Sequence, residues 1–370
     1  MDPKKICVVS NTADLGVMVV RNLLIKLLRE KYRAAGIVVM AEAEIIDKVR
    51  RFHQNHSWTD DCIAIESERV KTPLRKLALW KKLRAEKFDM IVLGPQCRIP
   101  PSVPYWCGIP VRAGLCNDEK QRAYLTHPVT LNLSGTEQYM YLHWTRVISA
   151  YARALHIDDF KDVSSHVPFI RVRGGEVFRP ARGKKRIVVH VGGNPEWNRR
   201  WPLKNFSLLC RKLARRDDVA LFLAGGRDES FENRTVLEAV KRENGTAEIS
   251  DISDCTIEEM VRYIAAADLF IGNDSGPMNI AVAAGTPAIA IRGADSENFR
   301  PDIVDSKHAV VSNWLNCSRY RNGSNRCDQG CPVAYDRQKQ DYPKCMEEIS
   351  VDTVRNLVEA KLDMEVSRAK

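Results

Sequence analysis

The sequence predicts an α/β protein with two Rossmann-like parallel-sheet domains that face each other across a cleft. The first observation is the length of 370 residues, which suits two hydrophobic cores better than one. The second is that short apolar runs alternate with segments of helical periodicity, a pattern typical of parallel sheets covered by helices. The third is a lapse of this alternation at residues 161–186, which we interpret as an inter-domain connection.

Before the connection, the chain contains four strand patterns and four helix patterns. Apolar, β-branched runs predict the strands, and apolar residues at helical spacing predict the helices. The predicted strands are Ile6–Ser10, Ile37–Met40, Cys62–Ile65 and Met90–Leu93, and the predicted helices are Val17–Arg33, Ile45–His53, Pro73–Lys87 and Glu137–Leu155. Residues 1–160 are therefore the predicted N-terminal domain.

After the connection, a second series of strands and helices begins. The predicted strands are Ile187–Val191, Val219–Ala224, Leu269–Ile271 and Ala288–Ile291, and the predicted helices are Leu203–Arg215, Phe231–Lys241, Thr256–Ala267 and Pro277–Ala284. Thr256 is a predicted N-cap because its hydroxyl can accept from a free N–H of the first turn. Residues 187–346 form the predicted C-terminal domain, and residues 347–370 form a final helix.

Composition and charge exclude some classes of protein. With 44% apolar and 28% charged residues, the chain is typical of soluble globular proteins. No apolar run reaches the ~20 residues that a membrane span requires, and the N-terminus lacks the apolar core of a signal peptide. We therefore expect a cytoplasmic protein. The net charge of +10 favours polyanionic partners in general, but no nucleic-acid-binding motif is present, so nucleic acid is not an expected partner.

Three strands of the second half end in turns of small residues: Gly192-Gly193, Gly225-Gly226 and the segment GNDSGP at residues 272–277. Ligands of open α/β sheets bind beyond the carboxyl ends of the strands. Glycine lets backbone amides approach a phosphate closely, and a following helix N-terminus adds free N–H groups. A single glycine pair would indicate only a tight turn, but three in one domain predict an anion site. None matches the P-loop pattern, and the absence of G-x-G-x-x-G disfavours an NAD-dependent oxidoreductase.

The segment GNDSGPMNIAVAAGTPAIAI at residues 272–291 resembles the signature D-[TS]-G-P-x-H-x-A-A-A-x-G-x-P of glycosyltransferase family 9, the ADP-heptose:lipopolysaccharide heptosyltransferases. Residues 190–206 and 221–230 resemble, in the same order, the family's K-x-W-P segment and its G-G-x-x-E turn. The likeness covers nearly the whole chain and is strongest over residues 187–293. It implies the GT-B fold, with an N-terminal acceptor domain and a C-terminal domain that binds most of the donor.

The resemblance implies roles for the residues of the turns. Asp274, Ser275 and Gly276 would hold the pyrophosphate and sugar of the donor. Arg199 stands at the family lysine and would neutralise phosphate, with bidentate contacts that lysine cannot make. Glu229 would accept from the donor ribose, although a solvent-exposed loop residue is an equal alternative. The donor-binding residues implied in this way are Gly192, Gly193, Arg199, Gly225, Gly226, Glu229, Asp274, Ser275, Gly276 and Asn279.

Two positions depart from the family pattern. Asn279 replaces the family histidine, so a neutral amide stands where a charge-capable ring is usual. Val17 replaces the aspartate that is the family's proposed general base. The nearest carboxylate is Asp14, which we take as the candidate catalytic base, although a turn or N-cap role is an equal alternative. Glu42, after the second strand, is the reserve candidate.

The activity that the resemblance implies is an inverting transfer of heptose from ADP-heptose to a lipopolysaccharide core or other bacterial glycan, without a cofactor. Such a transfer requires a base on the acceptor hydroxyl and stabilised charge on the departing diphosphate. The implied partners are a nucleotide-sugar donor and an anionic glycan or glycolipid acceptor, with peripheral association at the inner membrane. Alternatives are a protein acceptor, a GT-B nucleotide-sugar epimerase, and a member without transfer activity that binds glycan or scaffolds an assembly.

Four of the eleven cysteines crowd into one polar segment with the spacing C-x9-C-x3-C-x13-C. They are Cys317, Cys327, Cys331 and Cys345. Four thiolates within this distance can form a tetrahedral zinc or iron site, whereas disulfides are disfavoured in a reducing cytoplasm. We therefore expect a structural metal on these cysteines, with unligated thiols as the alternative.

Overall fold

The computed structural model describes residues 2–10, 13–66, 73–94, 97, 99–116, 118–130, 144–157, 169–174, 183–193, 200–293, 305–313 and 342–368. The chain divides into two compact units whose boundary in the sequence lies between Arg171 and Val172. This boundary falls inside the connection that the sequence predicts at residues 161–186.

The first unit is built on a six-stranded parallel sheet with the strand order β3-β2-β1-β4-β5-β6. The strands are β1 (Lys5–Val9), β2 (Gly36–Glu42), β3 (Asp61–Ile65), β4 (Met90–Leu93), β5 (Val111–Leu115) and β6 (His127–Val129). The helices are α1 (Leu15–Lys31), α2 (Ile46–His56), α3 (Pro73–Glu86), α4 (Ser102–Trp106), α5 (Glu119–Arg122) and α6 (Trp144–Ala154).

The second unit is built on another six-stranded parallel sheet, with the strand order β12-β11-β10-β7-β8-β9. The strands are β7 (Lys185–His190), β8 (Val219–Ala224), β9 (Ile249–Asp251), β10 (Leu269–Asn273), β11 (Ala288–Arg292) and β12 (Ala309–Ser312). The helices are α7 (Leu203–Leu213), α8 (Ser230–Glu243), α9 (Ile257–Ala265), α10 (Gly276–Ala284), α11 (Lys344–Glu347) and α12 (Val351–Arg368).

Both sheets confirm the predicted fold class of two parallel-sheet α/β domains. In each sheet the chain winds outward in two directions from a central pair of strands, β1 and β4 in the first unit and β7 and β10 in the second. The central strands are buried on both faces, which explains why they read as continuous apolar runs rather than alternating ones. Ligands of such sheets bind at the point where the strand order reverses.

Within the described residues, every predicted strand and helix is present, with boundaries shifted by a few residues. Of the predicted Glu137–Leu155 helix the structure describes residues 144–155, and Trp144–Ala154 are helical. Thr256 is the N-cap of α9, as predicted, and it forms a capping box with Glu259. The short elements β5, β6, β9, β12, α4, α5 and α11 were not predicted. Three of them (β6, β9 and β12) are edge strands, and all seven span three to five residues, too few to show a period of burial.

The core of the second unit includes Trp201 and the C-terminal helix. Trp201 is 1% exposed, meets Phe206 edge to face at 4.9 Å, and its indole N–H donates to the carbonyl of Ile349 at 2.9 Å. The apolar residues of α12, from Val351 to Leu362, join the same buried cluster. Among the described residues, no helix combines the length and apolar character needed to cross a membrane.

Candidate functional site

The three small-residue turns of the second unit lie next to one another. Gly192-Gly193 follows β7, Gly225-Gly226 follows β8, and Asp274-Ser275 follows β10. Because β10, β7 and β8 are neighbours in a parallel sheet, their carboxyl ends share one edge. The turns therefore flank the reversal point of the strand order, between β7 and β10.

Glu229 connects two of these turns through its carboxylate. Its Oε1 accepts from the backbone N–H of Gly193, and its Oε2 accepts from the N–H of Gly226 at 3.0 Å. The same Oε2 lies 3.1 Å from Nε2 of His190, the last residue of β7. Glu229 is 9% exposed, so the alternative of a solvent-exposed loop residue is wrong.

The surroundings keep Glu229 ionised. Burial alone would raise the pKa of this carboxyl, but His190 and the N–H groups of Gly226 and Gly193 lower it from 4.5 to about 2. At neutral pH the group is therefore a carboxylate that only accepts hydrogen bonds.

The glycines of the first two turns are required by the space that Glu229 occupies. A Cβ atom on Gly192 would lie 1.9 Å from Glu229 Oε1, and one on Gly225 would lie 2.9 Å from Oε2. Gly193 has a φ of +137°, a conformation that side chains rarely adopt. Gly192 and Gly225, predicted to let a phosphate approach the backbone, thus also leave room for the carboxylate of Glu229.

Ser275 extends the same set of contacts to the third turn. Its Oγ lies 3.0 Å from Nδ1 of His190, whose residue exposure is 2%. Ser275 is also the N-cap residue of α10 and makes no side-chain cap bond, and Pro277 occupies the first turn of that helix. The free N–H groups and positive dipole end of α10 therefore begin directly beside the hydroxyl.

Asp274 and Asn279 flank Ser275. Asp274 is 9% exposed, and its Oδ2 lies 3.5 Å from Nε of Arg292, a buried arginine at the end of β11. The Nδ2 of Asn279 donates to the carbonyl of Ser275 at 3.1 Å, and its Oδ1 has no hydrogen-bond partner among the described residues. The amide at the family histidine position thus reinforces the first turn of α10.

Asn273 and Arg200 hold the turn after β7 in place. The Nδ2 of Asn273 donates to the carbonyls of Gly192 at 2.7 Å and Val191 at 3.2 Å, and its Oδ1 accepts from the N–H of Trp201 at 2.9 Å. The Nε of Arg200 donates to the carbonyl of Gly193 at 2.9 Å, and its Nη1 pairs with Glu232 at 3.1 Å. Arg199 itself lies outside the described residues.

In the first unit, the candidate base Asp14 follows β1. It is exposed, and it is the N-cap of α1, where its Oδ1 accepts from the N–H of Val17 at 3.1 Å. The N-cap alternative is therefore correct as a structural role, and it does not exclude proton transfer by the same carboxylate. Glu42 ends β2 with 7% exposure.

The first unit also buries a cation near its reversal point. Arg21 on α1 is 6% exposed, and its Nη1 donates to Oγ of Ser10, which follows β1, at 3.2 Å. Burial lowers the pKa of Arg21 to about 10. Gly94, after β4, has no room for a side chain, because a Cβ atom there would lie 2.7 Å from the carbonyl oxygen of Val9.

A cavity of about 490 Å³ lies beside these residues, at the ends of β4 and β5. Both apolar and polar side chains line it, a composition typical of ligand pockets. Its lining residues are Leu93, Gly94, Cys97, Ile99, Pro100, Pro101, Ser102, Leu115, Asp118, Lys120, Gln121 and Tyr124.

Comparison with known proteins decides the family. The model of glycosyltransferase family 9 (heptosyltransferase) matches residues 76–329 of the chain. The protein belongs to this family. The expected class of enzyme, a glycosyltransferase, is confirmed at the level of the family.

Relatives with assigned functions agree with this family. Lipopolysaccharide heptosyltransferase 1 of Campylobacter coli is 32% identical over 123 residues, which is 32% of this chain and 34% of the relative. Lipopolysaccharide heptosyltransferase 2 of Salmonella typhimurium is 22% identical over 325 residues, which is 80% of this chain and 85% of the relative. The aligned share of these relatives thus ranges from about a third to most of their length.

Solved structures support the fold class. ADP-heptose lps heptosyltransferase II of E. coli superposes with a TM-score of 0.70 at 21% identity, over 98% of this chain and 99% of that chain. E. coli heptosyltransferase WaaC, with ADP-2-deoxy-2-fluoro heptose, gives a TM-score of 0.62 at 12% identity, over 96% and 99% of the chains. At these identities the similarity concerns the fold alone.

Four residues of this site were not predicted from the sequence: His190, Arg200, Asn273 and Arg292. Three of them are polar residues at the end of an otherwise apolar strand. A polar residue that ends a buried strand directly before a turn is the signal that could have identified them, because it stands where a parallel sheet presents its ligand edge.

The predicted metal site lies mostly outside the described residues, which include only Cys345. Cys345 is a buried residue of α11 and packs into the core cluster of the second unit with Met346 and Ile349. Within the described ranges, no cluster of His, Cys, Asp or Glu residues could hold a metal ion. The four-cysteine site therefore stays a prediction.

Proposed function

We propose that this family 9 protein transfers heptose from ADP-heptose to a lipopolysaccharide core, with inversion at the anomeric carbon. The observation that carries the proposal is the meeting of three turns at the reversal point of the second sheet. The relatives named as lipopolysaccharide heptosyltransferases supply the sugar and the acceptor class, and the superposed E. coli heptosyltransferase WaaC carries an ADP-heptose analogue.

The donor diphosphate binds at the start of α10 in this proposal. The N–H groups of the first turn and the hydroxyl of Ser275 would donate to the phosphate oxygens, and the helix dipole adds a partial positive charge. Arg199 would supply a full positive charge at the family lysine position. Asp274, Gly276 and Asn279 would border the diphosphate and the sugar.

Glu229 both supports the turns and contacts the nucleotide in this proposal. Its carboxylate accepts from Gly193 and Gly226 and meets His190. A carboxylate has about four lone-pair sites, so one site remains for a ribose hydroxyl. Gly192 and Gly225 would then serve the nucleotide indirectly, by leaving room for Glu229.

We assign the acceptor to the cavity at the ends of β4 and β5 in the first unit. Tyr124 offers a ring face to a sugar, Lys120 offers a charge to an anionic glycan, and Gln121 and Ser102 offer hydrogen bonds. Asp14, which opens the helix after the neighbouring strand β1, is the proposed base. It would take the proton of the acceptor hydroxyl.

The reaction then forms one bond and breaks one. The acceptor oxygen bonds to the anomeric carbon of heptose from the face opposite the diphosphate, while the bond from that carbon to the diphosphate oxygen breaks. The proton of the acceptor hydroxyl passes to Asp14, and the electron pair leaves with ADP. Developing charge on ADP would be stabilised by the N-terminus of α10 and Ser275. No cofactor takes part in this scheme.

A test of the proposal combines ADP-heptose with a heptose-deficient lipopolysaccharide core and follows products by mass spectrometry. We expect a product with one added heptose and release of ADP. Consumption of a nucleotide sugar without an acceptor would instead indicate an epimerase. Binding of ADP-heptose without transfer to any glycan or protein acceptor would indicate a binding or scaffolding role.

We also propose that the first unit meets the cytoplasmic face of the inner membrane through α3 and α4. Among the described side chains of these helices, three large apolar or aromatic ones are exposed: Leu77 at 46%, Tyr105 at 41% and Trp106 at 67%. Lys81, Lys82 and Arg84 on α3 are exposed as well. Aromatic rings at headgroup depth with basic neighbours favour anionic lipid surfaces.

Sedimentation with vesicles that contain phosphatidylglycerol tests this membrane surface. Trp106→Ser should release a large part of the bound protein, since it removes the most exposed ring. Phe231→Ser in the second unit is the control, because Phe231 is likewise an exposed aromatic residue, at 46%, but has no proposed lipid contact. Equal loss in both variants, or no binding by the wild-type protein, would contradict the membrane proposal.

The four-cysteine metal site is proposed independently of the transfer reaction. Elemental analysis of protein purified without chelators should give near-stoichiometric zinc or iron. Replacement of Cys327 and Cys331 by serine should remove the metal, because a tetrahedral site needs all four thiolates. A metal-free wild-type protein would contradict the site.

A further inference from the structure

Glu229, His190 and Ser275 form one hydrogen-bonded chain at the carboxyl end of β7. The carboxylate of Glu229 lies 3.1 Å from Nε2 of His190, and the hydroxyl of Ser275 lies 3.0 Å from Nδ1. The imidazole thus makes one bond at each nitrogen while only 2% of the residue is exposed. Sequence reasoning identifies both ends of this chain but not the histidine between them.

Glu229 determines which nitrogen of the neutral ring carries the proton. Burial alone would raise the pKa of the carboxyl, but its hydrogen-bond donors lower it to about 2, so the group only accepts. The ring must therefore donate from Nε2, and in neutral His190 the Nδ1 atom is an acceptor. Ser275 then donates its hydroxyl proton to Nδ1 and has none left for another acceptor.

Protonation of His190 reverses the bond to Ser275. An imidazolium donates from both nitrogens, so the hydroxyl oxygen of Ser275 accepts from Nδ1. The hydroxyl proton is then available to a second acceptor at the start of α10. Phosphate oxygens are acceptors only, and charge-assisted bonds to them are among the stronger hydrogen bonds in proteins.

We propose that His190 is a positioning residue of the donor site, which in its protonated form turns the hydroxyl of Ser275 towards the donor diphosphate. The inference rests on the proposed function, because the diphosphate is the acceptor that the hydroxyl would meet. Binding of the donor then takes up a proton, and affinity for the donor rises as the pH falls.

The charged groups around His190 are compatible with this role. Glu229 is the anion bonded to the ring, on the turn after β8. Two ion pairs lie on the adjoining elements that the structure describes, Arg200 with Glu232 and Asp274 with Arg292. A protonated ring would stand between the carboxylate of Glu229 on one side and, beyond Ser275, the diphosphate on the other.

Calorimetric titration with ADP-heptose tests the inference. Both phosphates of this ligand are esterified, so the ligand itself does not titrate near neutral pH. For the wild-type protein, we expect affinity to rise about tenfold between about pH 8 and pH 5. Parallel titrations in buffers of different ionisation enthalpy should show uptake of a proton on binding.

Three variants separate positioning from a purely structural role. In His190→Asn, the amide can donate to Ser275 at every pH, so affinity should stay near the acidic value of the wild type. In His190→Gln, the amide reaches Glu229 but not Ser275, so affinity should be uniformly weak. Ser275→Ala should bind weakly with no pH dependence, and it keeps the His190–Glu229 bond if the other two variants fail to fold. Melting temperatures monitor the fold.

The outcomes distinguish this inference from the proposed function. If wild-type affinity for ADP-heptose does not change with pH, or if Ser275→Ala keeps the wild-type pH slope, the role of His190 is wrong and the proposed function stands. If ADP-heptose does not bind but another nucleotide sugar does, the proposed donor is wrong, and the same titration with that sugar decides the role of His190. Binding of no nucleotide sugar contradicts both.

Discussion

The two units share one sheet order but differ in what lies at its reversal point. In the second unit the buried carboxylate of Glu229 accepts hydrogen bonds from the turns after β7 and β8. In the first unit the buried guanidinium of Arg21 donates a hydrogen bond to Ser10. There the candidate base Asp14 is exposed and a cavity of about 490 Å³ lies nearby.

This difference is consistent with a donor site in the second unit and an acceptor site in the first. A diphosphate is a fixed chemical group, and a set of turns held by buried hydrogen bonds suits it because the donors need no reordering on binding. An acceptor glycan has many hydroxyls and a variable shape, which an open cavity with exposed polar side chains accommodates. Changes in the first unit should therefore affect the reaction rate or the acceptor, and changes in the second should affect donor binding and stability.

The largest effect is expected for Asp14→Asn in the first unit. Asparagine cannot take a proton from the acceptor, so the turnover rate should fall about 100-fold to 10,000-fold. It can still accept from the N–H of Val17, so the melting temperature and the affinity for ADP-heptose should stay close to wild type. Asp14→Ala should in addition lose about 1 kcal/mol of stability through the missing cap.

Unchanged turnover in Asp14→Asn would show that Asp14 is not the catalytic base. Glu42→Gln would then be the next variant to assay, since Glu42 is the other carboxylate considered for the first unit.

The next largest effect is expected for Gly192→Ala in the second unit. The new Cβ atom would lie 1.9 Å from Glu229 Oε1, so the carboxylate must leave its position and its hydrogen bonds. We expect a loss on the order of 3 kcal/mol in the free energy of unfolding, together with loss of ADP-heptose binding. Urea denaturation and calorimetry measure both quantities.

Gly245→Ala is the matched control for Gly192→Ala. Gly245 lies in the same unit, and the nearest atom to a Cβ there is 3.9 Å away. Equal stability of the two variants would show that the second unit does not depend on the space that Gly192 leaves for Glu229.

The acid stability of the protein tests the ionisation of Glu229. Its pKa is lower in the folded protein, about 2, than the usual 4.5, so its contribution is present above the usual pKa and is lost as the pH falls towards 2. The difference corresponds to about 3 kcal/mol at most. In urea denaturation, the stability advantage of the wild-type protein over Glu229→Gln should therefore be largest near neutral pH and should shrink below pH 4.5. A constant difference at all pH values would contradict the assignment.

The smallest effect is expected for Lys120→Ala at the cavity of the first unit. An exposed ion pair with an anionic glycan contributes less than about 1 kcal/mol, so the KM for the lipopolysaccharide core should rise a few-fold. The affinity for ADP-heptose should not change. Lys48→Ala, an exposed lysine of α2 away from the cavity lining, should alter neither value. A rise in KM for both variants would indicate only general charge attraction.

The sequence predicts the fold better than it predicts the site, and the reason is physical. Central strands such as β1 and β10 are buried on both faces, so they consist of nearly uninterrupted apolar residues, which are easy to recognise in the sequence. Edge strands such as β9 and β12 span three and four residues and are only partly buried. Their sequences are too short to show a pattern of apolar residues from which a strand can be predicted.

At the site, the sequence predicts the glycine turns but not the contact with Glu229 that requires glycine there. The approach of Glu229 to Gly192 joins residues 37 positions apart in the sequence, and only the packing of β7 against β8 brings them together. His190 reads as the last residue of an apolar strand, and its two hydrogen bonds come from separate turns. Arg199 and three of the four clustered cysteines lie outside the described residues, so their predicted roles rest on the resemblance and the spacing.

Hydrogen–deuterium exchange with and without ADP-heptose tests most directly whether the second unit binds the donor at the reversal point of its sheet. The account predicts slower exchange in peptides that contain Gly192-Gly193, Gly225-Gly226 and Ser275-Gly276, because the ligand covers or orders their backbone N–H groups. Peptides around Asp14 should change little until an acceptor is added. Slower exchange confined to the first unit, with the three turns unaffected, would contradict the account.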